Sequence, residues 1–219
     1  LKANNLVCVK EIKQEYSHIE KIGVVVEEIL MRNKIKPSQI EAIVVGKGPG
    51  SFTGLRIGYA FSKGFCFAKR IPLYQVSTLE SLAYQSGVND SVVISILDAR
   101  RGEFFCAAYL FAKGRAMRLG EERIVSKLEL YSLAKEQNKK VYFVSSDVEV
   151  LKDFNMFDTV VVEEVSRGLL KAFEASLSKV KDGGKGRDFN LAELAKASPN
   201  YLRAPAAKTL EERLADRSA

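Results

Sequence analysis

Residues 46–58 read Gly46-Lys47-Gly48-Pro49-Gly50-Ser51-Phe52-Thr53-Gly54-Leu55-Arg56-Ile57-Gly58, five glycines and a proline directly after the apolar run Ala42-Ile43-Val44-Val45. The run predicts a buried strand over 41–45, and Ser51 to Lys69 predicts a helix. A strand, a tight glycine turn and a helix start have two uses. They present backbone N–H groups to an anion, or they bring a helix very close to another element. Two nucleotide loops are disfavoured. In the dinucleotide pattern G-x-G-x-x-G, Ser51 stands where the third glycine is needed, and Lys47 is not followed by the hydroxyl residue of a P-loop.

The helix itself carries a second signal. Gly50, Gly54, Gly58 and Ser62 are four apart, a spacing that sets residues on one face. A glycine inside a helix costs about 0.5–1 kcal/mol relative to alanine, which is tolerable where the missing Cβ lets another element approach. Phe52, Leu55, Tyr59 and Phe65 lie on other faces. The helix is therefore expected to be contacted on two sides, by its own sheet and by a partner chain. Arg56 has two readings: an ion pair with Asp98 or Glu103, or a contact with a partner or a bound phosphate.

Elsewhere the pattern is mixed. Ser17 to Asn33 carries Ile19, Ile22, Val26, Ile29 and Leu30 at helical spacing. Asn4-Asn5 predicts a hairpin turn between strands at 1–3 and 6–13. Ser77/Glu80 and Ser126/Glu129 have capping-box spacing and open helices to Gln85 and Gln137. Strands are predicted at 92–97, 104–111, 141–144 and 159–162, the polar hexapeptide 98–103 turning between the first two. A helix spans 166–180, Asp182 to Gly186 is a linker, and Ser198 begins an extended tail. Strands and helices in this order predict an α/β fold with a mixed sheet.

The 219 residues carry 34 Lys plus Arg against 27 Asp plus Glu, a net +7. That balance permits contact with RNA, but the cations are dispersed and mostly read as solvated surface. Cys8, Cys66 and Cys106 each sit in an apolar stretch, which reads as buried free thiols in a reducing compartment. No apolar run approaches a membrane span, and a cytoplasmic location is expected.

The stretch Gly48 to Gly58 resembles the signature of the bacterial TsaB (YeaZ-type) family. Val76-Ser77-Thr78-Leu79, Asp98-Ala99-Arg100-Arg101-Gly102-Glu103 and the Ser17-His18 helix entry are similar to that family in order and distance, and Tyr201-Leu202-Arg203 is similar to its C-terminal end. The resemblance covers about residues 6–110. It implies an actin/Hsp70-like (ASKHA) duplicated ribonuclease H-type fold, with lobes at 1–93 and 94–219. The family's opening strand with its Asp-Thr-Ser turn is missing from this sequence, so residues ahead of Leu1 are expected in the natural protein.

The resemblance also implies a role in making threonylcarbamoyladenosine at position 37 of tRNA. The chain would pair with the transferase TsaD, the ATPase TsaE would join, and tRNA would be met through the complex. The first two helices would form the pairing surface, through His18, Ile22, Val26, Ile29, Gly50, Phe52, Gly54, Leu55, Arg56, Gly58, Tyr59 and Ser62. Alone, the chain would cover that surface with a second copy. No intrinsic cofactor is expected, and any ATP or ADP would lie at the partner interface or in the interlobe cleft.

The residues argue against catalysis by this chain alone. A transferase of this kind needs two histidines at His-x-x-x-His spacing, and His18 is the only histidine, with Ile22 four residues on. Ser-His and Cys-His pairs compete for the same residue. The alternative is an active nucleotide-dependent phosphotransferase or ATPase of the ASKHA fold; a direct tRNA-binding module is a third reading.

Overall fold

The computed structural model describes residues 18–163, 165–177 and 188–203. The hairpin predicted at 1–13, Cys8 and the linker at 182–186 lie outside the described residues. Two sheets organise the rest. The smaller pairs β1 (Ile43–Gly46) in parallel with β2 (Leu73–Val76). The larger has strand order β5-β4-β3-β6-β7, with β3 (Val92–Asp98), β4 (Glu103–Ala112), β5 (Arg115–Ser126), β6 (Val141–Ser145) and β7 (Asp158–Val161). Its hairpin half, β3-β4-β5, is antiparallel, and β3-β6-β7 is parallel. β3 is central and covered on both faces, which is why Val92 to Ile96 is a continuous buried run.

Period-two alternation divides the core. Val93, Ala107, Tyr109 and Phe111 face the layer of α3 (Thr78–Gln85) and α6 (Val165–Leu177). Ile94, Ile96, Phe104, Cys106 and Phe143 face the opposite side. There α4 (Lys127–Lys135) brings Leu130, α5 (Val148–Lys152) brings Leu151, and Phe154 follows it. α6 also packs on β1 and β2, so the α3–α6 layer lies between the two sheets. On the smaller sheet's other face sits α2 (Phe52–Lys69), with α1 (His18–Arg32) and α7 (Leu191–Lys196) against it. α3 and α6 cross very closely at Gly168, where a Cβ would stand 1.9 Å from the Ser81 carbonyl oxygen.

Capping chemistry fixes several helix starts, those at Ser77 and Ser126 as predicted. Ser51, Ser77 and Ser126 each accept an N–H three residues on, and Ser126 with Glu129 closes a full capping box. β2, β5, α5 and α7 are absent from the sequence-based prediction. No helix among the described residues is long and apolar enough to cross a membrane.

Cys66 and Cys106 are buried and free. Burial pushes each thiol from the usual 9.0 to about 11, and the Tyr59 hydroxyl up to about 12. Unfolded thiols ionise near 9 while the folded ones still hold their protons. Across that window the native state binds more protons, so stability falls as pH rises. The melting temperature is expected to be flat from about pH 6 to 8 and to decline above about pH 9. Cys66 and Cys106 should resist a thiol reagent at pH 8 until denaturant is added. Rapid labelling of both in the folded chain would contradict this environment.

Candidate partner interface

The glycine turn is built by backbone. Lys47 N–H donates to the Val76 carbonyl (2.8 Å), Thr78 N–H donates to the Gly48 carbonyl (3.0 Å), and Asn200 N–H donates to the Lys47 carbonyl (2.6 Å). Gly48 has φ +99°, and a Cβ there would stand 3.0 Å from Leu55 Cδ1 and 3.1 Å from the Asn200 carbonyl oxygen. Glycine is thus required both for the dihedral and for the approach of residue 200. The turn serves close approach, the second of its two predicted uses.

α2 begins at once, with Ser51 as N-cap. The small-residue stripe does not stay on one face. Gly50 precedes the helix, and steps of four overshoot the 3.6-residue turn by about 40° each. Gly54 lies on a flank, where an added Cβ would meet only Ser51. At Gly58 the added Cβ would meet Val45 of β1, 3.9 Å away. Ser62 is buried, as is Tyr59, whose hydroxyl donates to Gln75 Oε1 of β2 (2.7 Å). Gly58, Tyr59 and Ser62 thus look toward the chain's own sheet. Phe52 and Leu55 are half-buried.

The outward face of α2 carries a different set. Thr53, Ile57, Ala60, Gly64 and Phe67 follow 4-3-4-3 spacing, the seam of a helix–helix contact. Thr53, Ala60 and Gly64 are exposed, Phe67 is 61% exposed, and a Cβ on Gly64 would meet nothing within 4 Å. On α1, Ile22, Val26 and Ile29 are half-buried, while Val24 and Met31, seven residues apart, are 52% and 71% exposed. His18 is the first residue of α1. The sequence reading missed Val24, Met31, Ala60, Gly64 and Phe67; the 4-3-4-3 spacing was the signal for the three on α2.

The ion pair of Arg56 with Asp98 or Glu103 does not form. Asp98 pairs with Arg100 (3.5 Å), and Glu103 pairs with Arg203. Arg56 instead lies over the Phe52 ring, 4.0 Å from its centroid, and its Nε donates to the Tyr201 hydroxyl (3.4 Å). Tyr201 also packs on Phe52, ring centroids 4.9 Å apart. Residues 198–203 are a docked strap where a tail was expected. They run from α7, whose last carbonyls, Ala195 and Ala197, accept from Lys63 Nζ of α2 (2.9 and 2.8 Å).

Beside the strap opens a cleft of about 670 Å³ lined by Pro49, Ser51, Asp98, Arg100, Asp147 and Leu202 among others. The 98–103 hairpin forms one wall, held by Asp98, whose carboxylate accepts the Arg100 N–H (2.7 Å). Among the described residues no three His, Cys, Asp or Glu side chains converge as a metal would require.

Comparison with known proteins gives a consistent result. The family model described as "TsaD: tRNA N6-adenosine threonylcarbamoyltransferase" matches residues 12–214. The Bacillus subtilis tRNA threonylcarbamoyladenosine biosynthesis protein TsaB is 29% identical over 178 residues, 81% of this chain and 76% of that protein. The Escherichia coli protein of the same name is 35% identical over 94 residues, covering 42% of this chain and 41% of its own length. Among solved structures, a Pseudomonas aeruginosa protein with similarity to peptidase YEAZ superposes with a TM-score of 0.66 at 20% identity, covering 89% of this chain and 87% of that one. With its mixed sheets flanked by helices, the fold is of the actin/Hsp70-like type. The chain belongs to the family that the TsaD model describes, and within it to the TsaB (YeaZ) type.

Proposed function

We propose that this chain acts in the biosynthesis of threonylcarbamoyladenosine at position 37 of tRNA as a partner subunit that is not catalytic alone. It pairs with a TsaD-type transferase, and a TsaE-type ATPase joins the larger complex. The observation that carries the reading is the 178-residue match to a protein named for this pathway. The outward seam Thr53-Ile57-Ala60-Gly64-Phe67, exposed at every position but the half-buried Ile57, with Val24 and Met31 beside it on α1, supplies a surface suited to a helical partner. Small residues at its middle allow two helices to approach closely. The sequence supplies a single histidine, so a two-histidine metal pair falls to the transferase. In the partner's absence a second copy covers the same face. Any ATP or ADP binds at the subunit interface or in the cleft beside Ser51 and Asp98.

The test is threonylcarbamoyl transfer to tRNA in a reconstituted mixture of TsaD-type and TsaE-type proteins, with and without this chain. Transfer is expected only when the chain is present. Transfer that proceeds equally without it, the chain being folded, removes the subunit role. ATP turnover by the chain alone at enzyme-like rates turns the reading toward a phosphotransferase.

A further inference from the structure

A buried carboxylate sits where the strap meets the larger sheet. Opposite Ala107, β5 holds three residues, 120–122, because the register passes from Cys106↔Arg123 to Ala108↔Leu119. Gly120 has φ +83° within this bulge. Bulges re-aim side chains, and this one turns Glu122 inward: its side chain is 3% exposed. Glu122 Oε2 accepts from Asn200 Nδ2 (2.9 Å). Oε1 has no hydrogen-bond partner, and its nearest cation is Arg118 at 3.7 Å. Burying a carboxylate so sparsely compensated is costly, and the hydrogen bond it makes goes to the strap.

Asn200 is the pivot of that strap. Its side chain holds Glu122 while its backbone N–H holds the Lys47 carbonyl in the glycine turn. The next residue, Tyr201, packs on Phe52 and accepts from Arg56, and Arg203 closes the segment on Glu103. Phe52 and Arg56 occupy the flank of α2 next to the outward seam. Tyr201 is 38% exposed there, so the docked strap extends the seam's edge with an aromatic ring and a stacked guanidinium.

We propose that Glu122 is a positioning residue that, through Asn200, anchors residues 198–203, and that the anchored Tyr201–Arg56 pair forms part of the partner-docking face. The second half rests on the pairing role proposed above; the first does not.

The chain contains no tryptophan, so Tyr201→Trp supplies a single reporter, and this variant is the parent for the quenching comparisons only. Acrylamide quenching of the reporter chain alone reads the strap; calorimetric titration of chains that keep Tyr201 with the transferase reads docking. Glu122→Ala is expected to make the reporter several-fold more quenchable and to weaken transferase binding about tenfold, the scale of one charged hydrogen bond. Asn200→Ala, which leaves Glu122 in place, should do the same if Glu122→Ala folds poorly. Glu122→Gln keeps an acceptor for Asn200 and should restore both readouts. A reporter unmoved in folded Glu122→Ala or Asn200→Ala overturns the anchoring. A released reporter with unchanged affinity overturns the docking role. If the chain that keeps Tyr201 never binds the transferase, the pairing role fails, and quenching alone decides whether Glu122 anchors the strap.

Discussion

Gly168→Ala is expected to destabilise the chain by about 3 kcal/mol or more, lowering the melting temperature by roughly 10 °C. Helix propensity alone predicts the opposite, since alanine is favoured over glycine in a helix interior by about 1 kcal/mol. Geometry decides the sign. A Cβ on Gly168 would lie 1.9 Å from the Ser81 carbonyl oxygen, 2.7 Å from its carbon and 3.1 Å from its Cα. Ordinary contact begins near roughly 3.5 Å, and every atom in the way is backbone, so no rotamer change relieves it. α6 must move off α3. That motion opens the layer between the two sheets, where Phe173 packs on Tyr74 at 4.6 Å and Leu79 and Leu82 are fully buried. Thermal unfolding followed by circular dichroism measures it. A melting temperature at or above the parent's would show that the crossing is looser than this.

What sequence patterning revealed, and what it hid, follows from how each element earns its stability. α1 and α6 carry apolar stripes at helical spacing, and β3 and β4 are continuous apolar runs, so their positions are legible. β5 is an edge strand carrying Arg115, Arg118, Glu121, Glu122 and Arg123, and its polar face and bulge erase the alternation that marks a strand. β2, four residues long, has too few positions to display a period. α7 is six residues, fixed by Asn190 as N-cap and by Lys63 on its carbonyls. Beyond the Asn190 cap its stability is tertiary, and six residues are too few to show a helical period.

The candidate interface shows the same limit in another form. The glycine turn and α2 were legible because glycine and proline constrain the backbone directly. The face of α2 on which each small residue lies was not, because four-residue steps drift around the helix axis. That drift carries Gly58 and Ser62 onto the sheet and leaves Gly64, which no four-step series from Gly50 includes, pointing outward. Of the two readings of Arg56, the ion pair with Asp98 or Glu103 is the one that local sequence cannot judge. Both acids are taken by arginines, one of them, Arg203, a hundred residues away. The strap that supplies Arg203 and Tyr201 comes from a distant part of the chain, and no local pattern announces its docking.

Gly64→Leu should then separate folding from association. The position is exposed in the middle of an 18-residue helix, and an added Cβ would meet nothing within 4 Å. In the isolated chain leucine gains up to about 1 kcal/mol over glycine in helix propensity, so the melting temperature should hold or rise slightly. Against the transferase the same side chain fills the close-approach point of the seam. Overpacking of about 1–3 kcal/mol weakens the complex by about 10–100-fold. Gly58→Leu is the contrasting variant. Its Cβ would already stand 3.9 Å from Val45 Cγ2, so the rest of the side chain must enter the contact between α2 and β1. There the loss appears first in stability, and affinity falls because α2 is displaced. Calorimetric titration with the transferase, read beside thermal unfolding of each variant, distinguishes the two. Tight binding by a stable Gly64→Leu chain would rule out the outward seam as the docking face, and loss of affinity without loss of stability at Gly58 would return that face to the stripe running from Gly50 to Ser62.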